Sequence, residues 1–128
     1  MAENIKWKWC AVGNIVRTRI DENGVLRHGT AAFSGGTKVY LCGKYWGASQ
    51  SEITVIGLSR ARHFRVCDVP VELIENVRLS QVFKPKVLEI MDNFEFWDTW
   101  WQNTEEDRAE AASFVSRWNS VRQEGIIE

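Results

Sequence analysis

The residues that usually announce a chemistry are scarce: the 128 residues include two histidines, two prolines and three cysteines. Cys10, Cys42 and Cys67 form no C-x-x-C pair, and an odd number excludes a fully paired disulfide framework, so a reducing compartment is expected. Neither His28 nor His63 stands at zinc-ligand spacing from a cysteine, so no metal site is read, and no cofactor is expected. Each cysteine has apolar or aromatic neighbours, as in Trp9-Cys10-Ala11 and Val66-Cys67, and buried strand positions are expected for all three. No apolar run approaches the roughly 18 to 20 residues that span a bilayer. The start, Met1 to Lys6, lacks the pattern of a signal peptide. A cytoplasmic protein without membrane association is the expectation.

Charge of one sign is also missing in total. Sixteen Lys plus Arg against seventeen Asp plus Glu leave −1, which excludes an all-over basic nucleic-acid binder. The total hides a polarity along the chain. Residues 1–65 carry ten basic and four acidic side chains, 66–88 three of each, and 89–128 three basic and ten acidic. Enzyme signatures are missing as well: no nucleophile elbow, H-E-x-x-H or dinucleotide fingerprint occurs. Gly35-Gly36-Thr37-Lys38 lacks the spacing of a phosphate loop and precedes no helix. The chain is read as a non-enzyme.

What is present is a change of period. Up to residue 83 the pattern is that of strands, over 9–20, 25–28, 37–45, 53–58, 63–69 and 73–83. Asn23-Gly24 marks a hairpin turn in which both residues tolerate positive φ. Pro70 ends a strand because it cannot donate to a ladder. After Pro85, which suits a first helical turn, Val87, Ile90, Met91, Phe94, Trp97 and Trp101 recur at helical spacing. A second helix is predicted from a Thr104 cap and the acids Glu105, Glu106 and Asp107. Its apolar face is Ala111, Phe114, Val115, Trp118 and Val121, and Gly125 is its expected terminator. The predicted architecture is α+β: a small antiparallel, five- to six-stranded, partly open barrel followed by two C-terminal helices. Residues 1–128 are read as a single domain, with 1–83 the β-rich barrel and 84–128 the two-helix part.

Two charged regions are candidate binding surfaces. The acidic one comprises Glu89, Asp92, Asp98, Glu105, Glu106 and Glu110. Clustered charge of one sign speeds encounter with an opposite partner and rejects wrong ones. Phe94, Phe96, Trp97, Trp100 and Trp101 crowd five large rings into eight residues. One helix face cannot bury all five, and Trp97 or Trp100 is the expected anchor, tryptophan being enriched at binding hot spots. The basic region is Arg60-Ala61-Arg62-His63-Phe64-Arg65, where Arg60, Arg62 and Arg65 beside an aromatic would suit a nucleic-acid groove. Arginines two apart also simply line the solvent face of a strand.

The stretches Gly29-Thr30-Ala31-Ala32-Phe33, Gly36-Thr37-Lys38-Val39-Tyr40-Leu41 and Ile53-Thr54-Val55-Ile56-Gly57-Leu58 bear a likeness. With Ile74-Glu75-Asn76-Val77-Arg78 and Phe83-Lys84-Pro85-Lys86-Val87-Leu88, the chain over residues 9–91 resembles small bacterial immunity proteins. Those are cytoplasmic partners that neutralise polymorphic or contact-dependent inhibition toxins. The likeness contains no catalytic motif and carries no binding residue onto this chain. It implies a tight complex that occludes a toxin's active site. A nuclease, with its basic substrate cleft, is the toxin class an acidic, Trp-bearing surface fits. The expected partner is therefore a cognate toxin with a basic surface. The rival readings are a small nucleic-acid-binding barrel and an adaptor or subunit domain without a toxin.

Overall fold

The computed structural model describes residues 7–42, 47, 49–93 and 105–127. Among these residues seven strands come first: β1 (Lys8–Ile15), β2 (Thr18–Ile20), β3 (Leu26–His28), β4 (Lys38–Cys42), β5 (Glu52–Leu58), β6 (Phe64–Pro70) and β7 (Ile74–Val82). Helices α1 (Pro85–Asp92) and α2 (Glu105–Ile127) follow. Five strands form one antiparallel sheet in the order β6-β5-β4-β1-β7, and β2 with β3 makes a separate hairpin. The fold is thus α+β, with a partly open sheet preceding two helices, as the change of period predicts.

The connection from β6 to β7 bends this sheet. These two strands are its opposite edges, yet only the short 3-10 turn Val71–Leu73 joins them. Edge strands of a flat five-stranded sheet lie about 19 Å apart. A 3-10 turn of this length advances only about 6 Å. The sheet must therefore coil until its edges approach at that end. No ladder closes β6 onto β7 among the described residues, and the barrel stays open along that seam.

Phe33, from the loop before β4, is fully buried and fills the interior beside Gly57. A Cβ at Gly57 would lie 2.8 Å from Phe33 Cε1 and 3.0 Å from Val39 Cγ1, so the ring occupies the space a side chain would need. Helix α1 starts on Pro85 and buries Val87, Leu88 and Met91. Helix α2 lays Ala111, Phe114 and Trp118, the expected apolar face, on β1 and β7, with Val115 and Val121 at its margin. Phe114 and Trp118 stack at 6.0 Å, and burying side chains of this size contributes about 1.5–3 kcal/mol each. Trp9 meets the same helix through Arg108, whose guanidinium lies 5.1 Å from its ring centre.

Several local expectations are corrected. The first strand does not run from 9 to 20, because Val16 and Arg17 interrupt it and the chain turns into the separate hairpin. In that hairpin only Gly24 has positive φ (79°), while Asn23 does not. Gly24 N–H donates to Asp21 O and Asp21 N–H to Val25 O, the geometry of a turn closed by one left-handed glycine instead of a two-residue turn. The alternation read over 76–80 is broken at Asn76, where a bulge with φ 59° shifts the register against β1 between Val12 and Asn14. Gly125 does not end α2, which runs on to Ile127. A glycine near a helix end weakens the helix without forcing it to stop.

Candidate binding surfaces

The acidic surface is built on α2. Its first turn holds Glu105, Glu106 and Asp107, where carboxylates oppose the positive end of the helix dipole. Glu105, Glu106 and Glu110 are exposed and form no ion pair among the described residues, while Ala111, Phe114 and Trp118 are buried against the sheet. Glu106 and Glu110 are four residues apart, an arrangement of like charges that costs a helix about 0.2–0.5 kcal/mol. Arg108, which could have neutralised them, is turned toward Trp9. Glu89 belongs to α1, is exposed, and lies 3.5 Å from Lys86 in a pair of negligible strength. No bond among the described residues joins Glu89 to the α2 carboxylates. The side chain of Asp92, and Trp97, Asp98 and Trp100 entirely, lie outside the described residues, as do Phe94, Phe96, Trp101 and Thr104.

The basic run divides between the β5–β6 turn and the start of β6, as strand bounds of 53–58 and 63–69 imply. Arg60 and Arg62 lie in the turn between β5 and β6, and of the three only Arg65 is on a strand, paired with Gly57. Arg62 occupies the left-handed region at φ 73°, its N–H donating to Ser59 O while Ser59 N–H donates to His63 O. Arg60 is engaged structurally. Its Nε donates to Thr30 O at 3.0 Å, its Nη2 to His28 O at 2.8 Å, and its main-chain N–H to Ala32 O at 2.9 Å. These bonds satisfy carbonyls of the 28–32 loop, so Arg60 holds that loop and is not free to track a phosphate chain.

Sequence reading missed two other arginines. Arg19 and Arg27 are directly paired across the β2–β3 hairpin, and like charges in that position repel. Arg27 is balanced by Asp21, whose Oδ2 accepts from Arg27 Nε at 2.9 Å. The Asp21 carboxyl is held below the usual carboxylate range by the donating N–H of Val25 and then by that guanidinium. Arg19 Nε is shielded from solvent and has no hydrogen-bond partner, a deficit of about 1–3 kcal/mol for a charged donor. Together with Leu26, His28, Thr30, Ala31 and Arg60 these residues line an open cleft of about 630 Å³. The cross-strand pairing would have exposed this cluster in the sequence, had the hairpin register been known.

The cysteines behave as apolar residues. Cys10 and Cys42 are buried on adjacent strands, and burial pushes the Cys10 thiol up to about 12 and the Cys42 thiol well above its ordinary value. Cys67 is only half-buried, short of the burial expected for it, with its thiol raised by the same cause. Among the described residues no cluster of His, Cys, Asp and Glu could hold a metal, and no helix is long and apolar enough to cross a membrane. No family model, curated protein or solved structure matches the chain.

Proposed function

We propose that the chain is a non-enzymatic binding protein of the immunity type, which docks on a basic toxin and blocks its active site. The observation that carries the reading is the two-sided character of α2. Ala111, Phe114 and Trp118 anchor the helix to the sheet, while Glu105, Glu106 and Glu110 are exposed and form no ion pair among the described residues. An unneutralised group of carboxylates on an anchored helix raises the encounter rate with a cationic surface. A nuclease substrate cleft is a surface of that kind. The nucleic-acid reading loses support from the commitment of Arg60 to backbone carbonyls.

The test uses the product of the reading frame adjacent to the gene for this chain. Co-expression should rescue growth of cells that make that product. In stopped-flow mixing, Glu105→Lys with Glu106→Lys should slow association about tenfold or more and flatten its salt dependence. A harmless neighbouring product, or an association rate the double variant leaves unchanged, would sink the proposal.

A further inference from the structure

Two of the three cysteines face each other across neighbouring strands of the sheet. We infer that Cys10 and Cys42 form a dithiol site, which a disulfide oxidant of the glutathione type closes into a covalent bond between β1 and β4. The inference stands independently of the immunity reading.

The hydrogen-bond pattern places the pair. Ile15 N–H donates to Thr37 O at 2.9 Å, and the register then sets Asn14 opposite Lys38, Gly13 opposite Val39 and Val12 opposite Tyr40. Hydrogen-bonded and non-hydrogen-bonded positions alternate along an antiparallel pair, so Val12 and Tyr40 meet at a position of the second kind. Two residues further on, the same register brings Cys10 opposite Cys42, again without hydrogen bonds between them. Cys10 Sγ lies 3.5 Å from Leu41 O, which shows that the strands are still adjacent there. Facing residues share one side of the sheet. At such a position their Cα atoms stand about 4.5 Å apart, inside the roughly 4.4–6.8 Å that a disulfide spans.

The remaining cysteine is kept out of this pair. Cys67 faces Val55 and Val55 faces Leu41, so Cys67 shares the side of Leu41, opposite to that of Cys42, and sits two strands away from it. Both facing thiols are buried, and burial first, then the neighbouring Cys10, pushes the Cys42 thiol up, so the closed sheet keeps them unreactive. Cys42 is the last residue of β4, and the ends of elements open more readily than their centres. In the opened strand the Cys42 thiolate attacks the oxidant and releases one glutathione thiolate. The Cys10 thiolate then attacks Cys42 Sγ in the mixed disulfide and displaces the second. The two cysteine protons pass to the released thiolates, so two thiols are oxidised and one disulfide is reduced to two thiols. The new bond closes residues 11–41, with the β2–β3 hairpin, into a covalent loop. It restricts the unfolded chain, so the oxidised protein is the more stable form.

The test holds the folded, unmutated chain in excess oxidised glutathione, quenches it in acid and maps it with trypsin without reductant. The peptide of residues 9–17 is expected joined to that of residues 39–44, lighter by two hydrogens than the two together. This link should outnumber any link to Cys67 about tenfold or more, because facing thiols react at high effective concentration. A chain oxidised in denaturant should give all three pairings instead. Cys67→Ser should leave the link intact, and Cys42→Ser should abolish it. The oxidised Cys67→Ser protein should unfold at a higher urea midpoint than its reduced form, and dithiothreitol should reverse the difference. No link between residues 9–17 and 39–44 in the unmutated chain, or links made equally to Cys67, would overturn the inference. An oxidised form with the lower midpoint would overturn it as well, by showing that the bond distorts the sheet instead of closing a site already in place.

Discussion

Arg78 Nη1 donates to Asn14 Oδ1 at 2.8 Å, across the β1–β7 pair and beside the bulge at Asn76. The same nitrogen lies 2.8 Å from Asn76 O, and Asn14 Nδ2 donates to Gly36 O at 3.1 Å. One asparagine therefore ties together the strand, the bulge that offsets its partner and the loop that leads into β4. Asn14→Ala removes both the acceptor and the donor. Arg78 is half-exposed and can turn to water, so the expected loss is about 1–2 kcal/mol, read as a lower urea midpoint with an unchanged slope.

Left-handed backbone separates two positions that look alike. Among the described residues, Arg62 (φ 73°) and Asn76 (φ 59°) are the non-glycine residues of positive φ. An arginine pays for that conformation with a crowded Cβ, whereas asparagine tolerates it. Arg62→Gly is expected to stabilise the protein by about 0.5–1 kcal/mol, the relief of strain outweighing the added freedom of the unfolded chain. Asn76→Gly should change stability by less than about 0.5 kcal/mol. Thermal melts of the two variants decide it, and an Arg62→Gly protein that melts lower would refute the assignment of strain.

Phe33 and Gly57 are matched in size. Gly57→Ala drives a methyl group to 2.8 Å from the Phe33 ring and 3.0 Å from Val39, inside contact distance of two buried side chains. Overpacking of this kind costs about 1–3 kcal/mol. Phe33→Leu in the Gly57→Ala background should recover part of the loss, although the same change alone destabilises. A double-variant cycle with no coupling would show that the two residues do not share the space.

Local signals and long-range ones divided the legibility of this fold. Most of the strands, the hairpin near Asn23-Gly24, the stop at Pro70, the start at Pro85 and the apolar face of α2 follow from turn chemistry and periodicity within a few residues. The partly open barrel follows as well, from five to six short strands in succession. The strand order does not, because β6 and β7 are consecutive in the chain and yet opposite edges of the sheet, which no short window contains. The bulge is equally hidden, being stabilised by an asparagine 62 residues away. The binding surfaces divide the same way. Exposed carboxylates on α2 could be read from helical spacing. The role of Arg60 could not, since its acceptors His28 and Thr30 lie 32 and 30 residues upstream, and the apparent Arg60-Arg62-Arg65 patch dissolves into a clamp, a turn and a strand residue.

The turn of the β2–β3 hairpin should weaken in acid. Asp21 Oδ1 accepts from the N–H groups of Asn23 and Val25 at 2.9 Å, and Oδ2 accepts from Arg27, which is why its carboxyl is held below the ordinary range. A carboxyl lowered in the folded state adds stability that is present above its unfolded value of about 3.9 and is lost as the pH falls through the lower folded value. The Val25 amide resonance, followed with pH, should therefore move with a midpoint below about 3.9. A midpoint at or above that value would show that these bonds do not hold the carboxylate.

The alkaline limb belongs to the thiols. Burial holds Cys10 protonated up to about 12, while an unfolded thiol ionises near 8.5. Above about pH 8.5 the unfolded chain releases protons that the folded chain keeps, so folding stability falls as the pH rises from there toward 12. Cys42 acts in the same direction, and so does Tyr40, whose phenol is raised first by burial. The urea midpoint should drop steadily between about pH 8.5 and 10.5, and Cys10→Ala should make that drop shallower. Reactivity follows the same burial. Iodoacetamide at mildly alkaline pH should modify half-buried Cys67 well before Cys10 or Cys42, and all three at similar rates in denaturant. Rapid modification of Cys10 in the native protein would contradict its place in the core.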